Sequence, residues 1–377
     1  MLITKRSHDK RTIKTLPTST PRLAVLLTAV LLLCGFFVAG CGTTTVSEQD
    51  TVNDAPTSTT STASTATAST ATETETVPAL PVTVTDETGA IVTVHSIERI
   101  IPLDGDVAEV VFALGLGDNV VATDLSATYP PEADALPEIG YQRALSAETV
   151  ASFAPTVLLA TDIAGPPEAL DDMRRLGYPL IILPNESTPT GAGQKVRAVA
   201  AALGVPQRGA ELAEALDAAI AEAIVPESAP EDRPRVVALY VRGPATQLVL
   251  GKSLNTNWLI KAAGGVDVSE SLGVEDTAPI SAEAILAAAP DVILVPQRGL
   301  DSVGGVEGLV KIGGLAQTPA GLKQQVFAYD DQLLLGNGPR TAQILEALRD
   351  DLSSVTPAQQ ATKTQPPPPD NEQGEQQ

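Results

Sequence analysis

The sequence predicts an α/β protein: two similar Rossmann-like lobes joined by a long α-helix, with a ligand cleft between the lobes. Three observations predict it. First, short apolar runs alternate with helix-patterned stretches at residues 99–103, 107–114, 119–124, 154–160, 167–176 and 180–183. Near-continuous apolar strands of this kind belong to a parallel sheet covered on both faces. Second, the order repeats. Ser146-Ala147-Glu148 and Ala154-Pro155 return as Ser281-Ala282-Glu283 and Ala289-Pro290, both 135 positions on, and residues 99–104 match 235–240 at an offset of 136. Third, an Ala-rich stretch with Leu212, Leu216 and Ile220 on one helical stripe lies between the copies. A chain of 377 residues is also too long for one compact core, so two domains are the default.

Taken in order, residues 1–22 are basic and polar, and residues 23–40 form an 18-residue apolar run. That is the layout of a secretory leader. A spanning helix needs a run of similar length, but the end of this one decides the matter. Val38-Ala39-Gly40-Cys41 resembles the bacterial lipobox, whose cysteine is lipid-modified and becomes the N-terminus. The expectation is a signal peptide over 1–40, lipidation at Cys41 and an anchor on the outer face of the cell membrane. Cys34 reads as apolar filler. Residues 41–77 are mostly Thr, Ser and Ala and read as a disordered tether, with too little apolar surface to offset ordering entropy.

Order begins near Pro78. Residues 82–85 and 90–94 alternate around Asp86-Glu87-Thr88-Gly89, a hairpin pattern. The N-terminal lobe is expected over 78–189. The linking helix is placed at 190–226, although Gly204-Val205-Pro206 interrupts it, and the C-terminal lobe at 227–353. Residues 354–377, rich in Gln, Pro and Glu, read as a disordered tail.

Composition excludes several functions. There are 46 Asp+Glu against 24 Lys+Arg, and six of those bases lie in the leader. Such a surface repels nucleic acid and anionic lipid. His95 is the one histidine beyond the leader, which argues against a multi-histidine zinc or manganese site. There is no Gly-x-Ser-x-Gly, no Gly-x-Gly-x-x-Gly after a strand and no histidine-based catalytic pair, so the chain does not read as an enzyme.

Two Tyr-x-Arg steps stand out, Tyr141-Gln142-Arg143 and Tyr240-Val241-Arg242. Each lobe is expected to send a tyrosine into the shared cleft with an arginine beside it. The repeat does not make them equivalent, because it aligns Tyr240 with Asp104. Tyrosines of this kind are also common packing residues, and Tyr129, Tyr178, Tyr329 and Trp258 are expected to pack or face solvent.

From about residue 97 to 352 the chain resembles the substrate-binding lipoproteins of ABC importers, in the helical-backbone class that carries haem, cobalamin and ferric siderophores. Several segments resemble its haemin-binding branch: Gly140-Tyr141-Gln142-Arg143-Ala144-Leu145-Ser146-Ala147-Glu148, Ala164-Gly165-Pro166-Pro167, Gly299-Leu300-Asp301-Ser302-Val303-Gly304-Gly305 and Gly336-Asn337-Gly338-Pro339-Arg340-Thr341. The resemblance implies a non-catalytic protein that captures haem and hands it to the permease subunits of an importer. It implies Tyr141 and Tyr240 as axial ligands of the haem iron, with Arg242 and Arg143 beside them. Where some members carry an auxiliary methionine this chain has Pro296 and Gln297. The resemblance also implies a surface glutamate on each lobe that docks onto the permease. Glu109 matches in the first lobe; in the second, Lys261 breaks the pattern and Glu270 or Glu275 could substitute. A ferric siderophore or cobalamin is the alternative cargo in the same fold.

The chemistry suits these residues. Ferric iron is hard and prefers anionic oxygen, and a phenolate can serve as a haem axial ligand. Free tyrosine has a pKa of about 10, so a nearby guanidinium and the iron itself must favour the ionised form. In extended backbone, residues i and i+2 face the same way, which would place each arginine next to its tyrosine.

Overall fold

The structure, a computed structural model, describes residues 77–358; the signal peptide, Cys41, the tether up to residue 76 and the tail beyond residue 358 lie outside the described residues. The expected hairpin is present. Strands β1 (Val82–Thr85) and β2 (Ile91–Val94) pair antiparallel with Val82 opposite Val94. Asp86 closes its turn, accepting from the Thr88 and Ala90 amides at 2.9 Å. Its other oxygen accepts from the Ile182 amide at 3.3 Å, which ties the hairpin to the first lobe.

That lobe is built on three parallel strands in the order β3 (Ile100–Pro102), β4 (Val157–Ala160), β5 (Leu180–Ile182). Every residue of the three strands is buried because helices cover both faces. Alternation along each strand assigns the faces. Ile100 and Leu159 join the core that contains α1 (Gly105–Ala113). Ile101 and Leu158 join the core that contains α3 (Ala147–Ser152) and α4 (Pro167–Arg175). A short helix, α2 (Pro131–Asp134), lies between α1 and α3. The strand expected at 119–124 is reduced to isolated bridges, Ile100 with Val120 and Thr123 with Glu138. Its backbone is used elsewhere: Thr123 donates to Pro137 and accepts from Ile139.

The linking stretch is two helices rather than one. Helix α5 (Gly191–Ala202) ends before Gly204, and α6 (Pro206–Ala223) begins at Pro206 and packs back along α5. Proline lacks an N–H and its ring collides with the preceding turn, so it cannot continue α5 but suits the first position of α6. Only α6, with Gly209, Ala213, Leu216, Ile220 and Ala223 buried, runs on towards the second lobe.

The second lobe holds β6 (Arg235–Arg242), β7 (Thr246–Leu250), β8 (Val266–Asp267), β9 (Thr277–Pro279), β10 (Val292–Pro296) and β11 (Val326–Tyr329). Their order is β11-β10-β6-β7-β9, with β8 also pairing β6. The pairs among β11, β10, β6 and β8 are parallel, whereas β7 is antiparallel to both β6 and β9. Around them lie α7 (Asn255–Ala262), α8 (Val268–Ser271), α9 (Ala282–Ala288), α10 (Gln297–Ser302), α11 (Val306–Leu309), α12 (Pro319–Lys323), α13 (Asp331–Leu335) and α14 (Thr341–Ser353), the last packed on α6.

The sequence repeat is a structural repeat. Ser146 caps α3 by accepting from Thr149, and Ser281 caps α9 by accepting from Ala284. Each helix is followed by a left-handed alanine before proline, Ala154 (φ 46°) and Ala289 (φ 42°). The residue before proline is driven out of the helical region, which stops both helices there. Arg99 then donates to the Phe153 carbonyl at 3.0 Å, and Arg235 to that of Ala288 at 2.8 Å.

The expected tail starts too early. Val355 packs against the core, Pro357 is buried, and the Ala358 amide donates to Asp291 at 2.9 Å. Residues 354–358 therefore belong to the folded lobe.

Candidate functional site

Between the lobes lies a cleft of about 800 Å³, within the range of about 300–1,000 Å³ usual for small-molecule sites. Leu125 and Ile163 of the first lobe and Leu248, Leu254 and Leu335 of the second give it apolar walls.

Tyr141 enters from a loop. Gly140 before it has φ 101°, a conformation that glycine adopts without a steric penalty. Its carbonyl accepts from Leu125 at 3.0 Å, and the Ala144 amide donates back to Tyr141 at 2.8 Å to form a tight turn. The turn is fixed from behind: Gly165 donates to Gln142, and Leu145 donates to Gly165, both at 2.8 Å. Tyr141 stays 41% exposed. Tyr141 and Arg143 therefore do not share a face through extended backbone as expected, yet both line the cleft. Arg143 is exposed and makes no ion pair among the described residues.

Tyr240 does not end its strand. The first part of β6 pairs with β8 and β10, but residues from Leu239 to Arg242 pair with β7 alone and form a ribbon beyond the parallel sheet. Alternation buries Leu239 and Val241 in the core of the lobe and turns Tyr240 and Arg242 to the cleft. Here the expected arrangement holds. The Arg242 guanidinium lies 4.4 Å from the centroid of the Tyr240 ring, a cation–π contact. It also pairs with Asp331 and donates to the Val241 carbonyl at 2.9 Å.

Burial pushes the Tyr240 phenol above its ordinary pKa; Arg242 opposes this, and Tyr141 and Asp331 push it further up. Both phenols line the same cleft, one from each lobe, and Tyr141 is near enough to be among the groups that push Tyr240 up. Its protein surroundings therefore keep Tyr240 a neutral phenol at neutral pH.

The floor of the cleft carries charges that sequence reasoning missed. Lys195, on α5, is fully buried and pairs with Asp106, and it donates to Asn185 at 2.8 Å. Burial works against the Asp106 charge, but Lys195 and the Asn337 amide outweigh it and hold the carboxyl below its usual range. Asp104 accepts from the Thr161 amide at 2.6 Å, and its other oxygen has no partner. Burial first, then the Asp106 charge, push Asp104 up to about 7. Burial likewise pushes Asp124 up to about 6, against the pull of its contacts with Ser126.

Glu109 is not the surface carboxylate expected for permease docking. It is 4% exposed and sits where the two lobes meet. Its carboxylate accepts three bonds from Arg340, at 2.9–3.1 Å, and one from Gln332 at 3.1 Å. Burial raises its pKa, with Arg340 opposing. Arg340 in turn covers the Tyr129 ring at 3.7 Å, and Gln332 accepts from the Thr128 and Tyr129 amides at 2.8 and 2.9 Å. Of the substitutes, Glu270 pairs with Lys261 and Glu275 with Lys252, each at 2.9 Å on the surface.

The other aromatics behave as expected. Trp258 and Tyr178 pack in cores, and the Tyr329 hydroxyl bonds to Asp351. His95 is exposed, and among the described residues no group of three His, Cys, Asp or Glu could hold a metal.

Two α/β lobes held at a fixed junction, with a half-apolar cleft between them, define a substrate-binding protein. A profile of the family described as periplasmic binding protein matches residues 100–333, and the chain belongs to that family. Among solved structures it is similar to the apo form of the periplasmic heme-binding protein RhuT from Roseiflexus sp. RS-1. The two are 46% identical over 68% of this chain and 97% of that one, with a TM-score of 0.64. It is 34% identical to the heme-binding protein HmuT over 73% and 91% of the two chains, with a TM-score of 0.68. The periplasmic heme-binding protein HutB of Vibrio cholerae is 27% identical over 68% and 98%, with a TM-score of 0.59. Among curated proteins, the vitamin B12-binding protein of Vibrio cholerae is 33% identical over 81 residues, which cover 22% of this chain and only 29% of that relative.

Proposed function

We propose that this protein captures haem outside the cell membrane and delivers it, without chemistry on the cargo, to the permease of an ABC importer. The observation that carries the reading is that Tyr141 and Tyr240, one from each lobe, line a single cleft with apolar walls. A porphyrin needs such walls, and ferric iron needs an anionic oxygen. The protein environment alone holds the Tyr240 phenol above its ordinary pKa, so a haem iron that binds as a phenolate complex must take its proton. The iron charge and Arg242 together favour the phenolate. Solved neighbours with this fold are heme-binding proteins, among them BhuT in complex with two hemes. Structures of HmuT include alanine variants at an arginine, a tyrosine and a histidine. These are the residue types that the resemblance assigns to the positions of Arg242, Tyr240 and Tyr141.

A cobalamin cargo is the second reading, favoured by the short match to vitamin B12-binding proteins. That match spans a small part of those proteins, whereas the heme-binding neighbours match almost throughout. Titration of the purified protein with haemin and with cobalamin separates the two. Haemin is expected to give a high-spin ferric spectrum with phenolate charge-transfer features. An unchanged free-haemin spectrum beside a thermal shift with cobalamin would reverse the assignment. The anchor is proposed at Cys41, and Cys41→Ser is expected to move the protein from the membrane fraction to the medium.

A further inference from the structure

Arg242 is committed before any ligand arrives: it covers the Tyr240 ring, bonds the Val241 carbonyl and pairs with Asp331. Two other arginines of the cleft are not. Arg143 on the first lobe and Arg298 on the second are exposed, line the cleft, and have no ion pair or side-chain hydrogen bond among the described residues.

Arg298 is held in place through its backbone. It follows β10, at the carboxyl end of a parallel strand, where open α/β sheets bind ligands. Its amide donates to Asp331 at 3.1 Å, so the carboxylate that fixes Arg242 also fixes the start of α10. Gly299 lets the start of α10 lie close against β6: a Cβ there would lie 2.8 Å from the Val241 carbonyl and 3.2 Å from an Arg242 amino group. The backbone is pinned while the guanidinium keeps its donors free.

We infer that Arg143 and Arg298 form a carboxylate clamp split between the lobes, while Arg242 stays with Tyr240 and Asp331. This rests on the haem reading. Haem presents two propionate carboxylates on one edge, and a guanidinium with free donors binds a carboxylate in bidentate fashion. The cleft then reads its cargo at two points: the phenols take the metal and the free arginines take the acidic edge. Arg298 was missed in the sequence because nothing in a Gln-Arg-Gly step marks it as unpaired.

The test compares haemin with haemin dimethyl ester, which keeps the iron and the ring but lacks the charged carboxylates. Wild-type protein is expected to bind haemin at least about tenfold more tightly than the ester, the scale of a charge-assisted hydrogen bond. Arg298→Gln is expected to weaken haemin towards the ester without moving the ferric spectrum, and Arg298→Lys to keep part of the preference. Equal binding of both probes by wild type, or an equal loss of both in Arg298→Gln, overturns the clamp and leaves the haem reading standing. If neither probe binds wild type, the haem reading fails and takes the clamp with it.

Discussion

Arg242 and Tyr240 are two residues apart on one strand, and the guanidinium of the first lies 4.4 Å from the ring centroid of the second. The contact is made to the ring while Asp331 holds the guanidinium from another side. Charge beside the phenol is thus built into the strand rather than recruited by the ligand. Removing it by Arg242→Ala also strips Asp331 of its partner and leaves that carboxylate acting on Tyr240 alone. The expected result is weaker haemin binding, with phenolate features that develop at higher pH than in wild type. A pH titration of the charge-transfer band checks this.

The two phenols act on each other, so their removal should not be symmetrical in pH. Tyr141→Phe takes away a hydroxyl whose presence raises the Tyr240 pKa. The remaining Tyr240 should ionise more readily, and its haemin complex should form at lower pH. Tyr240→Phe leaves the more exposed Tyr141, which has no guanidinium over its ring among the described residues, and a larger loss of affinity is expected. Equal pH profiles for the two variants would contradict this relationship.

Glu109 and Arg340 are both largely buried, so breaking the pair leaves a charge without its partner. Loss of one member of a buried pair costs about 3–5 kcal/mol. Glu109→Ala should lower the melting temperature markedly, whereas Glu270→Ala, at a surface pair, should change it little. Differential scanning calorimetry of the two variants decides between a junction role and a surface role for Glu109.

Asp104 gives a pH dependence whose sign is fixed by its environment. In the fold it keeps its proton up to about pH 7, against an ordinary aspartate value of 3.8. The folded form thus holds more protons than the unfolded chain between those values, and stability falls as pH rises through the window. Asp124, raised to about 6, acts in the same direction. Asp106 is the opposite case: its lowered pKa gives stability that is present above the ordinary aspartate range and lost as pH falls through the folded value. Asp104→Asn keeps an acceptor for the Thr161 amide and removes the titration. Its melting temperature should gain on wild type between pH 5 and pH 8. A constant difference across that range would show that Asp104 does not titrate there.

The sequence made the lobes legible because they are local. Capping serines, alanine-proline stops and apolar runs each act within a few residues, and the 135-residue offset exposed them twice. The tyrosines were legible for the same reason, one beside a glycine that sets a turn and one on an alternating strand. What stayed hidden depends on distant partners. Glu109 looked like a surface residue because Arg340 and Gln332, which bury it, lie 231 and 223 positions away. Nothing in the sequence marked Lys195, because the partners that bury its charge, Asp106 and Asn185, are brought to it only by the fold. The run around Val120 has the composition of a strand, but it touches β3 only through a bridge of Val120 with Ile100, because Thr123 pairs with residues 137–139 instead.

The ribbon that carries Tyr240 has one more consequence. In its present phase Tyr240 lies opposite Leu248 and Arg242 opposite Thr246. Strand side chains alternate, so a slip of one residue would present Leu239 and Val241 to the cleft and hide the phenol. The phase is set where β6 joins the parallel sheet, by Val236, Val237 and Ala238 paired with β10, none of which lines the cleft. That pairing thus works as a vernier: it decides whether an incoming metal meets an oxygen or a hydrocarbon.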